Sequence, residues 1–339
     1  MNKEANIPGP EQIAPPVPFD VELAKVLAPL GELAPASITP EVFHAMRAHA
    51  IPGPTNKDLE REGRFSVQNL TIAATDQSPE LSVLICRPAS AAGPLPAVYF
   101  VHGGGMILGT NRDGIQEMLD WAEELELVVV SVEYRLAPEH PYPAGVNDCY
   151  SGLVWTAENA TALGIDSDRI IIAGASGGGG LAASIALMAR DRGGPTILGQ
   201  VLICPMLDDR NNSASAIQMT GIGMWDRVSN NTAWSFVLGD DHGKPGVSPY
   251  AAAARASDLS QLPPAFIDVG SAETFREEDI EYARRIWAAG GEAELHVWQG
   301  GFHGYALFAP QIDVSKETLQ TRVRWLRRLL RQRASVTAK

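Results

Sequence analysis

Positive charge is scarce in this sequence of 339 residues. Lysine and arginine together number 27 against 40 aspartates and glutamates, so the formal net charge is −13. A protein that neutralises phosphate groups needs clustered basic side chains, and the acidic excess argues against such clusters. We therefore expect neither nucleic acid nor an anionic membrane surface as a partner.

Long apolar runs and closely spaced cysteines are also missing. No stretch approaches the roughly 18 uninterrupted apolar residues of a transmembrane helix, and the start, MNKEANIPGPEQIAPPVPFD, has no apolar segment of the kind found in secretory signals. Cys86, Cys149 and Cys204 are widely spaced and form no metal-binding pattern. Such cysteines are typical of buried, reduced thiols, so we expect a cytoplasmic protein.

Strand-like and helix-like patterns alternate along most of the chain. The inner strand-like runs are almost continuously apolar, as in parallel strands that are buried on both faces. This alternation predicts a doubly wound α/β sheet with helices on both sides. The strand-like runs cover 65–74, 81–88, 96–104, 127–136, 169–176, 200–207, 265–271 and 294–300, and the helical runs cover 21–31, 38–50, 116–126, 146–160, 181–192, 277–290 and 317–333.

One connection is too long for a simple crossover between strands. Residues 208 to about 262 separate two strand-like runs, and an insertion of this length in a compact domain usually carries function. It is rich in bulky apolar side chains, which either roof a substrate pocket or only pack the insertion onto the sheet. Our candidates for substrate contacts are Trp225 and Trp234 of the insertion, beside Met219, Met224 and Phe236. Met106, which lies outside the insertion and follows the segment HGGG, is a further candidate.

Ser176 lies in the segment GASGG, which fits the pattern G-x-S-x-G between a strand and a helix. A sharp strand-to-helix turn of this kind exposes a serine hydroxyl above the sheet, and the flanking glycines avoid collisions between backbone segments. A phosphate-binding loop is disfavoured because neither G-K-[ST] nor G-x-G-x-x-G is present. A glycine turn without chemistry is the remaining alternative. Gly179 and Gly180 are expected to allow close helix packing.

Two further segments complete a catalytic pattern. His102-Gly103-Gly104-Gly105 follows a strand and offers backbone N–H groups suited to a developing oxyanion. We expect His102 itself to have a structural role. His303 lies in a loop after the last strand, where the order serine, acid, histidine requires a base. Glu273 is the favoured acid because it lies just beyond a strand, whereas the alternative, Asp268, lies inside it.

These motifs together resemble the hormone-sensitive-lipase-like family of α/β-hydrolase esterases, also called family IV. The resemblance rests on HGGG at 102–105, YRLAPEHPYPA at 134–144, the turn at Ser176, PMLDDR at 205–210 and GGFHG at 300–304. It implies the α/β-hydrolase fold: a mostly parallel eight-stranded sheet flanked by helices, with a helical cap. By the resemblance, Ser176 is the nucleophile, His303 the base and Glu273 the acid, while Gly104, Gly105 and Gly177 form the oxyanion hole.

The resemblance also implies a domain organisation. Residues 1–50 would form N-terminal cap helices and residues 208–245 a cap insertion, while residues 51–207 and 246–339 would form the two parts of the hydrolase core. Two segments depart from the usual pattern of the family. The turn has Ala175 and Gly177 where a polar residue and an alanine are usual, and the acid is Glu273 where an aspartate is usual. Neither change removes a catalytic group.

The expected activity is hydrolysis of short- to medium-chain carboxylic esters by a serine carboxylesterase that forms an acyl-enzyme. The expected partner is a small-molecule ester, no cofactor or metal is required, and a homodimer is compatible with the sequence. Amidase or lactonase action on the same residues stays open. A non-catalytic ligand-binding protein is disfavoured because the receptors that resemble this family lack the histidine, whereas His303 is present.

Overall fold

An eight-stranded sheet forms the centre of the protein in the computed structural model, which describes residues 14–33, 35–49, 52–74 and 78–334. The spatial order is β1-β2-β4-β3-β5-β6-β7-β8; β2 pairs antiparallel with both β1 and β4, and the other pairs are parallel. This confirms the predicted fold class. The strands are β1 Phe65–Ile72, β2 Leu81–Pro88, β3 Leu95–Val101, β4 Val128–Glu133, β5 Ile165–Ala175, β6 Gly199–Ile203, β7 Ala265–Gly270 and β8 Ala293–Trp298.

Helices occur at every position where the sequence predicts one. In α2, Thr39 accepts a hydrogen bond from the backbone N–H of Val42 and Pro40 occupies the first turn, which is a favourable N-terminal arrangement for a helix. The described helices are α1 Val21–Leu33, α2 Pro40–Ala48, α3 Asn56–Leu59, α4 Ile115–Leu125, α5 Ala144–Glu158, α6 Ala160–Leu163, α7 Gly177–Arg192, α8 Ala214–Gln218, α9 Arg227–Leu238, α10 Arg276–Ala288, α11 Tyr305–Phe308 and α12 Asp313–Ala334.

Both faces of the sheet are buried, which explains the continuous apolar runs. In β3, Tyr99 and Val101 face the cluster that contains α5, α7 and α10, whereas Val98 and Phe100 face the cluster that contains α4 and α12. Successive side chains of a strand point to opposite faces, so a strand that is covered on both sides is apolar at nearly every position. Because β3 to β8 run parallel, they end at one common edge of the sheet, and the loops that follow them meet there.

The N-terminal helices contact the long insertion. The backbone N–H of Ile38 donates to Ser229 Oγ at 2.8 Å, and Ser37 Oγ donates to Asp226 Oδ2 at 2.8 Å. Phe43 and Phe236 pack edge to face with their ring centroids 4.9 Å apart. Residues 1–13 of the Pro-rich start lie outside the described residues. Of the helices in the described ranges, none has the length and apolarity needed to cross a membrane.

Close backbone packing accounts for the glycines around Ser176. A Cβ at Gly178 would collide with the carbonyl oxygens of Val101 and His102, and one at Gly180 would collide with the carbonyl oxygen of Met206. A Cβ at Gly179 would lie 2.9 Å from Pro205 Cβ. The first turn of α7 therefore packs directly against neighbouring backbone, which confirms the packing role expected for Gly179 and Gly180.

We predict that Gly178→Ala destabilises the protein by about 3 kcal/mol or more, because its new methyl group would meet two carbonyl oxygens that cannot easily move. The matched control is Gly31→Ala in α1, where nothing lies within 4 Å of the added Cβ. That control should be neutral or gain up to about 1 kcal/mol from helix propensity. Chemical denaturation of both variants measures the difference, and equal stabilities would contradict the packing argument.

Candidate active site

Ser176 occupies a sharp turn between β5 and α7. Its backbone dihedral angles are φ 56° and ψ −121°, a region that residues with a Cβ rarely adopt. Three hydrogen bonds hold the turn: the N–H of Ser176 donates to the Ile203 carbonyl, and the Ser176 carbonyl accepts from Gly180 and Met206. The hydroxyl is thus fixed at the carboxyl edge of the sheet, where it borders a cavity.

The hydroxyl, an imidazole and a carboxylate are hydrogen bonded in a row. His303 Nε2 lies 2.9 Å from Ser176 Oγ, and His303 Nδ1 lies 3.0 Å from Glu273 Oε2. The three residues follow β5, β7 and β8, so they reach one place because parallel strands end at the same edge. The structure therefore brings together the serine, the histidine and the favoured acid.

Glu273 is held in a single orientation. Its side chain is inaccessible to solvent, and while Oε2 faces His303, Oε1 accepts a hydrogen bond from the N–H of Phe275 at 2.8 Å. The Phe275 ring also packs edge-on against the His303 ring, with centroids 5.2 Å apart. Both the carboxylate and the imidazole consequently have little freedom to rotate away from each other.

The loop that carries Glu273 is tied to the long insertion. Thr274 Oγ1 donates to the Trp225 carbonyl at 2.6 Å, and Ser215 Oγ donates to the Thr274 carbonyl at 3.0 Å. Glu278 of α10 binds the backbone where the insertion begins, because its Oε1 accepts from the N–H groups of Leu207 and Asp208. The insertion and the acid loop therefore form one hydrogen-bonded unit.

Asp268, the alternative acid, has a different partner. It lies inside β7 as expected, where its two oxygens accept from Arg322 Nε at 2.8 Å and Nη2 at 3.0 Å. Arg322 Nη1 in turn donates to both oxygens of Glu117 at 3.0 Å. Both carboxylate oxygens of Asp268 are thus engaged by the guanidinium of α12, whereas the His303 imidazole is hydrogen bonded to Glu273.

The glycine loop after β3 presents unused backbone donors beside Ser176. Gly104 and Gly105 have φ of 104° and 61°, and a Cβ at Gly177 would lie 2.8 Å from Gly105 Cα. Within the described ranges, no hydrogen bond uses the N–H of Gly104, Gly105 or Gly177. Backbone donors without acceptors can stabilise negative charge on a bound group, so these three glycines stay the candidates for an oxyanion hole.

His102 has the structural role expected of it. Its fully buried ring stacks on Tyr134 with centroids 4.2 Å apart, and Nδ1 lies 2.8 Å from the Gly103 carbonyl. Burial lowers the pKa of His102 to about 4. The imidazole is therefore neutral at physiological pH, and its Nδ1–H donates to the first glycine of the loop.

A cavity of about 420 Å³ lies over Ser176, Glu273 and His303. Trp225 lines it as proposed from the sequence, but Met106 and Trp234 do not. Met106 has φ 63°, and it borders a separate small cavity with Ala137 and Leu181. Trp234 is completely buried in the core cluster that contains α9. The structure therefore does not place these two residues at this cavity, and their assignment as substrate contacts stays a prediction.

Sequence reasoning missed several apolar residues that line the cavity. Ile38 lies just before α2 and Met46 lies within it, whereas Leu307 and Phe308 come from α11, which follows His303. Leu307 and Phe308 are exposed by 62% and 41%, so they border the cavity at the surface. For Leu307 and Phe308 the sequence offered one signal, because they follow His303 by only four and five residues.

Comparisons with known proteins agree with this fold. A family model described as alpha/beta hydrolase fold matches residues 98–307. The chain is 36% identical to the carboxylesterase NlhH of Mycobacterium tuberculosis over 257 residues, which are 75% of this chain and 80% of that protein. It is 33% identical to the hormone-sensitive lipase of Ictidomys tridecemlineatus over 147 residues, covering 42% of this chain and 19% of that one.

A solved structure titled bacterial heroin esterase superimposes with a TM-score of 0.82 at 36% identity, covering 92% of this chain and 98% of that one. The fold and these relatives define a carboxylic ester hydrolase with the α/β-hydrolase fold. The chain belongs to the hormone-sensitive-lipase-like esterases of that superfamily, which confirms the family recognised from the motifs.

We predict that His102 makes the protein less stable in acid. Its pKa of about 4 in the folded state lies below the unfolded value near 6.5, so the unfolded state binds the proton first. The stabilisation is complete above pH ~6.5 and falls by about 3 kcal/mol as the pH decreases toward 4.

His102→Asn tests this, because the amide can still donate to the Gly103 carbonyl but does not titrate. The free energy of unfolding measured from pH 7.5 to 4.5 should decrease less steeply for the variant than for the wild type. Identical slopes would mean that His102 is not held neutral by burial.

Proposed function

We propose that the protein hydrolyses short- to medium-chain carboxylic esters through an acyl-enzyme formed on Ser176. The observation that carries this proposal is the row of hydrogen bonds from Ser176 Oγ through His303 to Glu273 beneath an apolar cavity. A hydroxyl within 2.9 Å of an imidazole nitrogen, with the second nitrogen held by a carboxylate, is the arrangement that activates a serine for attack.

In the first half of the reaction, Ser176 Oγ attacks the ester carbonyl while His303 Nε2 accepts the hydroxyl proton. Glu273 keeps the other imidazole proton on Nδ1, so that Nε2 is free to accept. The negative charge that develops on the carbonyl oxygen is received by the N–H groups of Gly104, Gly105 and Gly177. The imidazolium then donates its proton to the departing alcohol, and Ser176 is left acylated.

In the second half, water replaces the alcohol. His303 Nε2 removes a proton from the water as it attacks the acyl carbonyl, the same three N–H groups receive the oxyanion, and the acid product leaves as Ser176 Oγ recovers its proton. Glu273 is preferred over Asp268 as the acid because the oxygens of Asp268 are taken by Arg322.

We also assign residues 1–50 and 208–245 to a cap and residues 51–207 and 246–339 to the hydrolase core. The contacts of Ser37 and Ile38 with Asp226 and Ser229 support a joint cap, and Ile38, Met46, Met224 and Trp225 line the cavity from its two parts. A cytoplasmic location is supported by Cys86, Cys149 and Cys204, which are all buried and unpaired. A homodimer stays a prediction.

We predict that Ser176→Ala lowers kcat by on the order of 10⁶, because no other group can supply the nucleophile. Hydrolysis of p-nitrophenyl butyrate by the variant, compared with buffer alone, measures the residual rate. Thermal unfolding of the same variant controls for misfolding. Retention of a tenth of the wild-type rate would refute the acyl-enzyme mechanism.

We predict that Glu273→Gln lowers kcat far more than Asp268→Asn does. Glutamine can present its amide N–H to Nδ1 and so favours the wrong imidazole tautomer, a change that costs about 10⁴ in a serine protease. Asp268→Asn weakens the pairing with Arg322 and should act mainly on stability, by about 3–5 kcal/mol if the guanidinium is left poorly compensated. Rates are compared for protein confirmed as folded, and equal losses of kcat would show that the acid is misassigned.

We predict a preference for acyl chains of about two to eight carbons. Each CH₂ buried in the cavity should contribute up to about 0.8 kcal/mol until the available length is used, after which kcat/KM should decline. The test is kcat/KM for p-nitrophenyl esters from acetate to palmitate, with Ser176→Ala as the blank. Highest activity on palmitate, or a rise in rate when an oil phase forms, would identify a true lipase.

A further inference from the structure

Cys204 places a thiol beside two members of the hydrogen-bonded row. It follows β6 directly, and its backbone N–H donates to the Asp268 carbonyl at 2.7 Å. Its Sγ, a carboxylate oxygen of Glu273 and a ring nitrogen of His303 all lie within 4.8 Å of one another. All three residues border the cavity, and the proposed ester hydrolysis has no use for the thiol.

Thiolate, carboxylate and imidazole are the ligands that Zn²⁺ takes in proteins. With metal–ligand distances of about 2.0–2.3 Å, tetrahedral geometry separates the ligand atoms by roughly 3.4–3.8 Å. Glu273 Oε2 and His303 Nδ1, at 3.0 Å, need to open slightly. The three ligand atoms lie within 4.8 Å of one another, so no pair needs to close by more than roughly 1 Å. A χ1 rotation of Cys204 by about 30° supplies that movement. Water from the cavity can take the fourth position.

We propose that Cys204, Glu273 and His303 form a binding site for a soft divalent cation such as Zn²⁺ or Cd²⁺, and that the bound ion inhibits the esterase. The ion forms bonds to Sγ, to one carboxylate oxygen and to Nδ1. The thiol releases its proton to solvent, and the proton on Nδ1 is transferred to Nε2. The ion's two positive charges balance the thiolate and the carboxylate, so the buried cluster becomes neutral overall.

Inhibition follows from the tautomer, and this part of the inference rests on the proposed function. An imidazole that binds a metal through Nδ1 carries its remaining proton on Nε2, which faces Ser176 Oγ. Nε2 then donates a hydrogen bond where the reaction requires it to accept a proton. The carboxylate of Glu273 is also drawn to the ion, so the imidazole loses both its basic nitrogen and its partner.

The Cys204 thiol does not act as a second nucleophile in the absence of an ion. Burial and the charge of nearby Glu273 raise the pKa of the thiol, so the sulfur is protonated and does not compete with Ser176. A divalent ion in contact with sulfur reverses that preference.

The first experiment measures inhibition of the full chain by ZnCl₂ and CdCl₂ in buffer without chelator. The wild type is compared with Cys204→Ser, Cys204→Ala and the control Cys86→Ala, which removes another buried thiol that lies outside the cluster. Each variant is normalised to its own rate in EDTA. Loss of the ligand should raise the inhibition constant by at least about 10–100-fold, whereas Cys86→Ala should match the wild type. MgCl₂ should not inhibit, because Mg²⁺ prefers an octahedral set of oxygen ligands.

The second experiment measures binding without reference to activity. Equilibrium dialysis of Ser176→Ala against Zn²⁺ should show about one more tightly bound ion per chain than Ser176→Ala with Cys204→Ala, since weak surface sites are common to both. Equal binding by the two chains, or equal inhibition of wild type and Cys204→Ser, would overturn the site. Binding that depends on Cys204 without inhibition would refute the inhibitory role, and would count against His303 as the base.

Discussion

The turn at Ser176 and the glycine loop after β3 run so close together that carbonyl oxygens of one segment touch α-carbons of the other. Gly178 lies against the carbonyls of Val101 and His102, and Gly177 lies against Gly105 and Met106. This contact fixes where Ser176 lies relative to the N–H groups of Gly104, Gly105 and Gly177. No Cβ fits at Gly177 or Gly178, so the helix propensity lost at these two glycines is the cost of this close approach, whereas Gly179 and Gly180 pack against Pro205 and Met206 after β6.

Charged groups hold the opposite side of the site. Arg322 of α12 binds Asp268 in β7 and Glu117 in α4, and all three side chains border the cavity. A buried guanidinium with both carboxylates in place satisfies the hydrogen-bonding groups of each partner. The end of β7, from which the Glu273 loop departs, is thereby anchored to two helices on one face of the sheet. The position of the acid depends on this anchor as well as on its own hydrogen bonds.

The strands, the main helices and the Ser176–His303–Glu273 row could be predicted from the sequence because each has a local signal. Apolar runs and glycine patterns are properties of neighbouring residues, and the order of the strands along the chain follows from the apolar runs. The cavity wall had no such signal. Met106 borders a separate small cavity, and Trp234 is completely buried in the core. The pairing of Arg322 with Asp268 and Glu117 joins residues 54 and 205 positions apart, a distance over which residue patterns carry no information.

The hydrogen bonds between the insertion and the acid loop have a consequence for how such enzymes diversify. Thr274 holds the Trp225 carbonyl, and Glu278 holds the backbone at Leu207 and Asp208. The segment that shapes the substrate wall is therefore not a detachable module. A graft of residues 208–245 from a relative would have to hold a backbone carbonyl where that of Trp225 lies and a backbone N–H where that of Asp208 lies, or Thr274 and Glu278 would lose these hydrogen bonds. An exchange of this insertion should therefore include the segment that carries Thr274 and Glu278.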